Sequence, residues 1–141
     1  MMGQRIYEIM TKDVVSVPTN ATVLEAARLM REHAIGDVLV VDGEQLWGVV
    51  TDRDIVTRVV AEGGSPNDTS VAEVSSKDPV AVRPEQDFRE AVSLMRTHDI
   101  RRLPVVDDDD RLVGILTLGD LAEQKDPDSA LGDISAAPPQ Q

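Results

Sequence analysis

The chain has no cysteine and only one residue each of tryptophan, tyrosine and phenylalanine. Without thiols it has no disulfide framework and no thiolate chemistry, which fits a reducing compartment. With so few rings, any core must be packed from Val, Ile, Leu, Met and Ala. Basic residues are scarce too: 14 Lys and Arg face 26 Asp and Glu, a formal charge of −12. That field repels a phosphate backbone, so no nucleic-acid partner is expected, although one small nucleotide in a local pocket escapes the objection. No apolar run approaches the roughly 20 residues that span a bilayer. Met1 to Met10 holds one arginine and no long apolar core, so no secretory signal is read there. The expectation is a cytoplasmic protein without membrane association.

What the chain does have is a repeat. Gly48-Val49-Val50-Thr51-Asp52-Arg53-Asp54 returns as Gly114-Ile115-Leu116-Thr117-Leu118-Gly119-Asp120. Upstream, Met30-Arg31-Glu32-His33-Ala34-Ile35 matches Met95-Arg96-Thr97-His98-Asp99-Ile100 at an offset of 65. The same offset aligns Val15 and Val17 with Val80 and Val82, and Val40-Val41-Asp42 with Val105-Val106-Asp107. One extra residue in the turn from Asp107 to Arg111 then shifts the register. Units of this size have marginal cores alone, so two stacked repeats sharing a core are expected. The division is 1–62 for the first repeat with a helical lead-in at Arg5 to Met10, 63–69 for a linker, 70–124 for the second repeat, and 125–141 for a disordered tail.

Hydrophobic period supplies the elements. Val14 to Val17 reads as a strand closed by Pro18. Thr22 to Glu25 is a capping box opening a helix striped by Val23, Ala26, Ala27 and Met30. Asp87 to Glu90 repeats it, with Phe88, Ala91, Val92 and Met95. Val38 to Val41 and Leu46 to Val50 form a hairpin through Asp42-Gly43. Leu103 to Val106 and Leu112 to Leu116 form its counterpart. After Thr51 a helix carries Ile55, Val56, Val59 and Val60 on its apolar side, and Gly63-Gly64-Ser65-Pro66 breaks it. Ser70 to Glu73 is a further capping box. His33 and His98 fall in last turns, where they suit the helix dipole; with no Cys or His partner nearby, no metal role is expected. The run Asp107 to Asp110 reads as a solvated loop. Each unit is therefore β-α-β-β-α.

The chemistry-bearing feature is the junction at Thr51 and Thr117, where a strand runs into a helix. Thr-x-x-Asp there is fully explained as a helix cap worth roughly 1 kcal/mol. The same groups also suit a ligand: helix N–H groups attract phosphate, and a carboxylate accepts the two hydroxyls of a ribose. No nucleophile–base pair, metal cluster or complete phosphate loop accompanies them, so no catalytic residue, metal or required cofactor is assigned and no enzyme is expected.

Ile9-Met10-Thr11, Thr22-Val23-Leu24-Glu25-Ala26-Ala27, Ile35-Gly36, the stretch His98 to Asp107, and both Gly-x-x-Thr-x-x-Asp segments together resemble a tandem pair of cystathionine-β-synthase (CBS) domains. The resemblance covers residues 5 to about 124. It implies an α+β fold, with the two repeats packed sheet to sheet about a pseudo-two-fold axis, an adenosine-containing ligand in the cleft between them, and a disc-like homodimer. Carried over residue by residue, it implies that Asp54 and Asp120 hold ribose hydroxyls and that Thr51 and Thr117 contact ribose or phosphate. Arg53 would meet ribose or phosphate, as would Arg102, in either cleft. The backbone around Val15 to Val17 or Val80 to Val82, with Ile35 or Ile100, would enclose adenine. The copies are unequal: Gly119 stands where the first has Arg53, and Arg101-Arg102 where it has Gly36-Asp37.

The function these features imply is a stand-alone, energy-sensing regulatory module. It would bind AMP, ADP, ATP, NAD or S-adenosylmethionine and signal through conformation or dimer packing to a protein target in trans. The competing reading is a dimeric interaction scaffold with vestigial clefts.

Overall fold

The structure, a computed structural model, describes residues 4–124; the tail expected at 125–141 lies outside them. The chain forms two compact units. Chain order misplaces one element. The lead-in helix α1 (Ile6–Ile9) opens the sequence but belongs to the unit built from the second repeat.

The first unit spans residues 15–79. Its β1 (Ser16–Pro18) pairs in parallel with β2 (Asp37–Asp42), and between them runs α2 (Val23–His33). The Thr22 hydroxyl accepts from the Glu25 amide at 3.1 Å, and the Glu25 carboxylate accepts from the Thr22 amide at 3.3 Å. This capping box sets the helix start so that Val23, Ala26 and Met30 enter the core. β2 turns through Gly43, whose φ of +64° suits glycine, into β3 (Gln45–Thr51). Beyond Thr51, α3 (Asp52–Ile55) widens into a π-helix over Val56–Val60, and the Ala61 amide reaches back five residues to the Val56 carbonyl. The apolar side expected here is split: Ile55 and Val59 are buried, whereas Val56 and Val60 are 57% and 61% exposed. The Thr57 hydroxyl donates to the Arg53 carbonyl at 2.8 Å, a back-bond that competes with the ordinary helical ladder. The unit is completed by α4 (Val71–Val74) and by β4 (Ser76–Lys77), which pairs antiparallel with β3. The sheet order is β1-β2-β3-β4.

The second unit joins residues 4–14 to 80–124. It holds α5 (Phe88–His98), the hairpin of β5 (Arg102–Val106) and β6 (Leu112–Thr117), and α6 (Leu118–Gln124). Ile6 and Ile9 lie in its core with Leu103, Leu116 and Leu121. Thr11 bridges Ile115 through two backbone hydrogen bonds of 2.8 Å, extending the hairpin by one residue.

The repeat offset explains this arrangement. It carries Ile6, Ile9 and Thr11 onto Val71, Val74 and Ser76, so α4 with β4 does for the first unit what α1 with Thr11 does for the second. Each repeat's lead-in completes the other repeat's core. The compact units therefore differ from the sequence division at 62 and 70, because the lead-ins bury their apolar side chains against the hairpin of the opposite copy.

Two local readings are corrected. Val80 to Val82 forms no strand; only Val82 bridges Val105. The chain leaves the sheet at once, because the Arg83 amide donates to the Gln86 side chain at 2.6 Å in a turn containing Pro84. Asp87 and Glu90 also make no capping box. The Asp87 carboxylate instead accepts from the Arg89 amide at 2.9 Å and from its guanidinium at 3.1 and 2.9 Å, while Glu90 accepts from Gln86.

The hydrogen bonds from Arg89, side chain first and backbone second, hold the Asp87 carboxyl at about 2 rather than the ordinary 3.8. A depressed carboxyl stabilises the folded state above its unfolded pKa and loses that contribution as pH falls through the folded value. Asp87→Asn should therefore flatten the acid limb of stability between about pH 4 and pH 2, and urea titrations across that window check it.

Candidate functional site

At the first junction the Asp54 amide donates to the Thr51 hydroxyl and the Thr51 amide to Asp54 Oδ2, each at 3.0 Å. At the second, Asp120 and Thr117 repeat both bonds at 3.0 Å. Both threonine–aspartate pairs are thus true reciprocal caps. The other first-turn amides of α3 are also engaged: Asp52 donates to the Gly36 carbonyl at 2.9 Å and Arg53 to Asp52 Oδ1 at 2.8 Å. The expectation that helix amides at this junction wait for phosphate is therefore not met, because local acceptors already take all three.

The two acids differ in their remaining neighbours. Asp54, with its side chain 13% exposed, turns Oδ1 toward Arg58 Nε at 3.8 Å, and Arg58 Nη1 donates to the Val74 carbonyl at 2.9 Å. Asp120 instead receives the Thr11 hydroxyl, 3.2 Å from Oδ1 and 3.3 Å from Oδ2. Cross-strand neighbours differ as well, since Thr51 faces Asp37 and Thr117 faces Arg102.

Among the other residues singled out from sequence, Arg53 is exposed on the first turn of α3 and Arg102 is partly buried at the start of β5. Val17 and Val82 are 5% and 1% exposed, so their side chains belong to the cores, and the Val82 amide and carbonyl are bonded to Pro104 and Val106. Val15 and Ile35 pack against the first core, Val80 and Ile100 against the second. His33 and His98 end their helices, exposed.

Sequence reading missed Thr11 and Arg58. Arg58 was legible as the i, i+4 partner of Asp54. Thr11 was legible only as the repeat equivalent of Ser76, and its role depends on the exchanged lead-in.

The 480 Å³ open depression found on the second unit is elsewhere, at the start of α5. Arg5, Arg83 and Arg89 line it together with Glu85, Asp87 and Glu90, so its charges balance. Among the described residues, no group of three or more His, Cys, Asp or Glu could hold a metal, and no helix is long and apolar enough to cross a membrane.

The sequence profile of the CBS domain matches residues 6–61 and again 71–125. This chain belongs to the CBS domain family. YhcV, a CBS domain-containing protein of Bacillus subtilis, is 44% identical over 117 residues, 83% of this chain and 82% of YhcV. The uncharacterized protein MK0525 of Methanopyrus kandleri is 36% identical over 87% of the chain, which spans 63% of that relative. Among solved structures, CBSX2 in complex with AMP superposes with a TM-score of 0.74 at 27% identity, covering 86% of this chain and 95% of that one. The CBS pair of protein MJ0100, in complex with 5′-methylthioadenosine and S-adenosyl-L-methionine, superposes at 0.72 with 25% identity and the same coverage. The architecture is accordingly the α+β fold of a tandem CBS pair.

Proposed function

We propose that this CBS pair is a regulatory module that captures an adenosine-containing ligand at its Thr-x-x-Asp junctions. AMP, ADP, ATP, NAD and S-adenosylmethionine are its candidate ligands. The bound state passes to a protein target in trans through conformation or through packing of a homodimer. If AMP and ATP compete, the output follows energy state. The module binds and does not catalyse.

The observation that carries this reading is Asp54. Its Oδ2 is consumed by the cap, but among the described residues no hydrogen-bond donor reaches Oδ1, although the side chain is largely buried. A carboxylate oxygen that no protein donor reaches can accept from a hydroxyl. The adenosine compounds in the CBSX2 and MJ0100 structures support the ligand class.

A thermal-shift panel of the five candidates tests it. A ligand at 100 times its dissociation constant should stabilise the protein by about 2.7 kcal/mol, and Asp54→Ala should abolish that shift at the first junction while Asp120→Ala weakens the second. A flat panel would defeat the reading.

The scaffold alternative has its own support. The caps are complete without a ligand, and Val56 and Val60 stand exposed four residues apart on the π-helix. A flat panel combined with a dimer mass that falls to one chain in Val56→Asp favours the scaffold.

A further inference from the structure

We infer that the two junctions are not equally open: Thr11 occupies the second with its own hydroxyl, leaving the first as the tighter adenosine site. This rests on the proposed function and assigns an order to its two sites.

The Thr11 hydroxyl donates to Asp120 from a position nearly equidistant from both oxygens, 3.2 and 3.3 Å. That is where a sugar hydroxyl must donate to be held by the same carboxylate. Asp120 Oδ2 also accepts from the Thr117 amide at 3.0 Å, so both of its oxygens are engaged. Thr11 cannot retreat as a backbone unit, because its amide and carbonyl are bonded to Ile115 at 2.8 Å each. Gly114 permits that approach: a Cβ there would stand 3.0 Å from the Thr11 carbonyl oxygen. A ligand at Asp120 must therefore turn the threonine side chain aside before it can bond.

At the first junction the counterpart of Thr11 is Ser76, held on β3 opposite Val49. Ser76 makes no hydrogen bond to Asp54, whose Oδ1 meets only the Arg58 cation at 3.8 Å. An arginine paired beyond hydrogen-bond distance leaves the oxygen's lone pairs available. The asymmetry thus lies in the lead-ins, not in the Thr-x-x-Asp segments themselves.

Calorimetric titration with AMP, and separately with 5′-methylthioadenosine, tests the order on the full chain. Wild type should bind one equivalent about five- to tenfold more tightly than the second, the worth of one displaced hydrogen bond. Asp54→Ala should remove the tighter equivalent. Thr11→Ala should tighten the weaker one by a similar factor, and Thr11→Ser, which keeps the hydroxyl, should behave as wild type. Alanine or serine at 11 retains both backbone bonds to Ile115, and Asp54→Ala reads the order with Thr11 intact, so the outcome does not hang on one variant. Equal affinities in wild type, loss of the weaker equivalent in Asp54→Ala, or weakened binding in Thr11→Ala would each overturn this inference alone. No binding of either probe to any of the four proteins overturns the adenosine reading, and this inference with it.

Discussion

Ile6→Ala is expected to destabilise the unit built from the second repeat, although residue 6 lies in the first by sequence. Ile6 is fully buried among Phe88, Leu103, Leu116 and Leu121. Truncating a buried isoleucine to alanine removes its transfer energy and leaves a cavity, together about 2–5 kcal/mol. Whole domains are stable by only about 5–15 kcal/mol, so this is a large share. Amide hydrogen exchange locates the damage. Protection should fall at Leu103, Val105 and Leu116, while Val38, Val40 and Val50 in the other unit keep theirs. Val71→Ala, its repeat equivalent in the first core, should show the mirror pattern with a smaller loss. If Ile6→Ala lowers protection in β2 and β3 first, the exchange of lead-ins is wrong.

Gly48→Ala carries the second large effect. A Cβ at residue 48 would stand 2.6 Å from the Ser76 carbonyl oxygen, a backbone atom held in the β3–β4 ladder. Neither partner can yield without opening the pairing of Gly48 with Lys77 and Val49 with Ser76. Forced overpacking of this kind costs about 1–3 kcal/mol. The variant also has an optical reporter. Lys77 Nζ lies 5.1 Å from the centre of the Trp47 ring, so release of β4 should change the emission of the only tryptophan. Gly114→Ala makes a useful contrast. Its Cβ would meet Met10 Sδ at 2.7 Å and the Thr11 carbonyl at 3.0 Å, and the first of these is a flexible side chain. It should cost less than Gly48→Ala; equal costs would mean that close strand approach does not explain these glycines.

Much of the site was legible because capping is local chemistry. Thr51 with Asp54, and Thr117 with Asp120, need only three residues of helix and one of strand to find each other, so their spacing was sufficient. The hairpins were legible for the same reason, since Asp42-Gly43 and the apolar runs on either side of it are short-range signals. Asp87 shows where local reading fails. A box was expected with Glu90, but Arg89 offers a charged donor two residues away, and a charge-assisted pair outcompetes the reciprocal cap. Val56 and Val60 show another failure. The apolar stripe was drawn too wide: of the four residues only Ile55 and Val59 turn into the core, and their chain neighbours Val56 and Val60 stay at the surface.

The order of residues by itself determined the two copies, most of the α+β elements within each, the caps at Thr22, Thr51, Ser70 and Thr117, and the identity of the acids at the junctions, because these arise from contacts between near neighbours in the chain. Only the tertiary structure decided which hairpin each lead-in completes, and with that which hydroxyl reaches which acid. Thr11 and Asp120 are 109 positions apart. No periodicity links them; they meet because burying Ile6 and Ile9 in the opposite core is what brings the lead-in to β6.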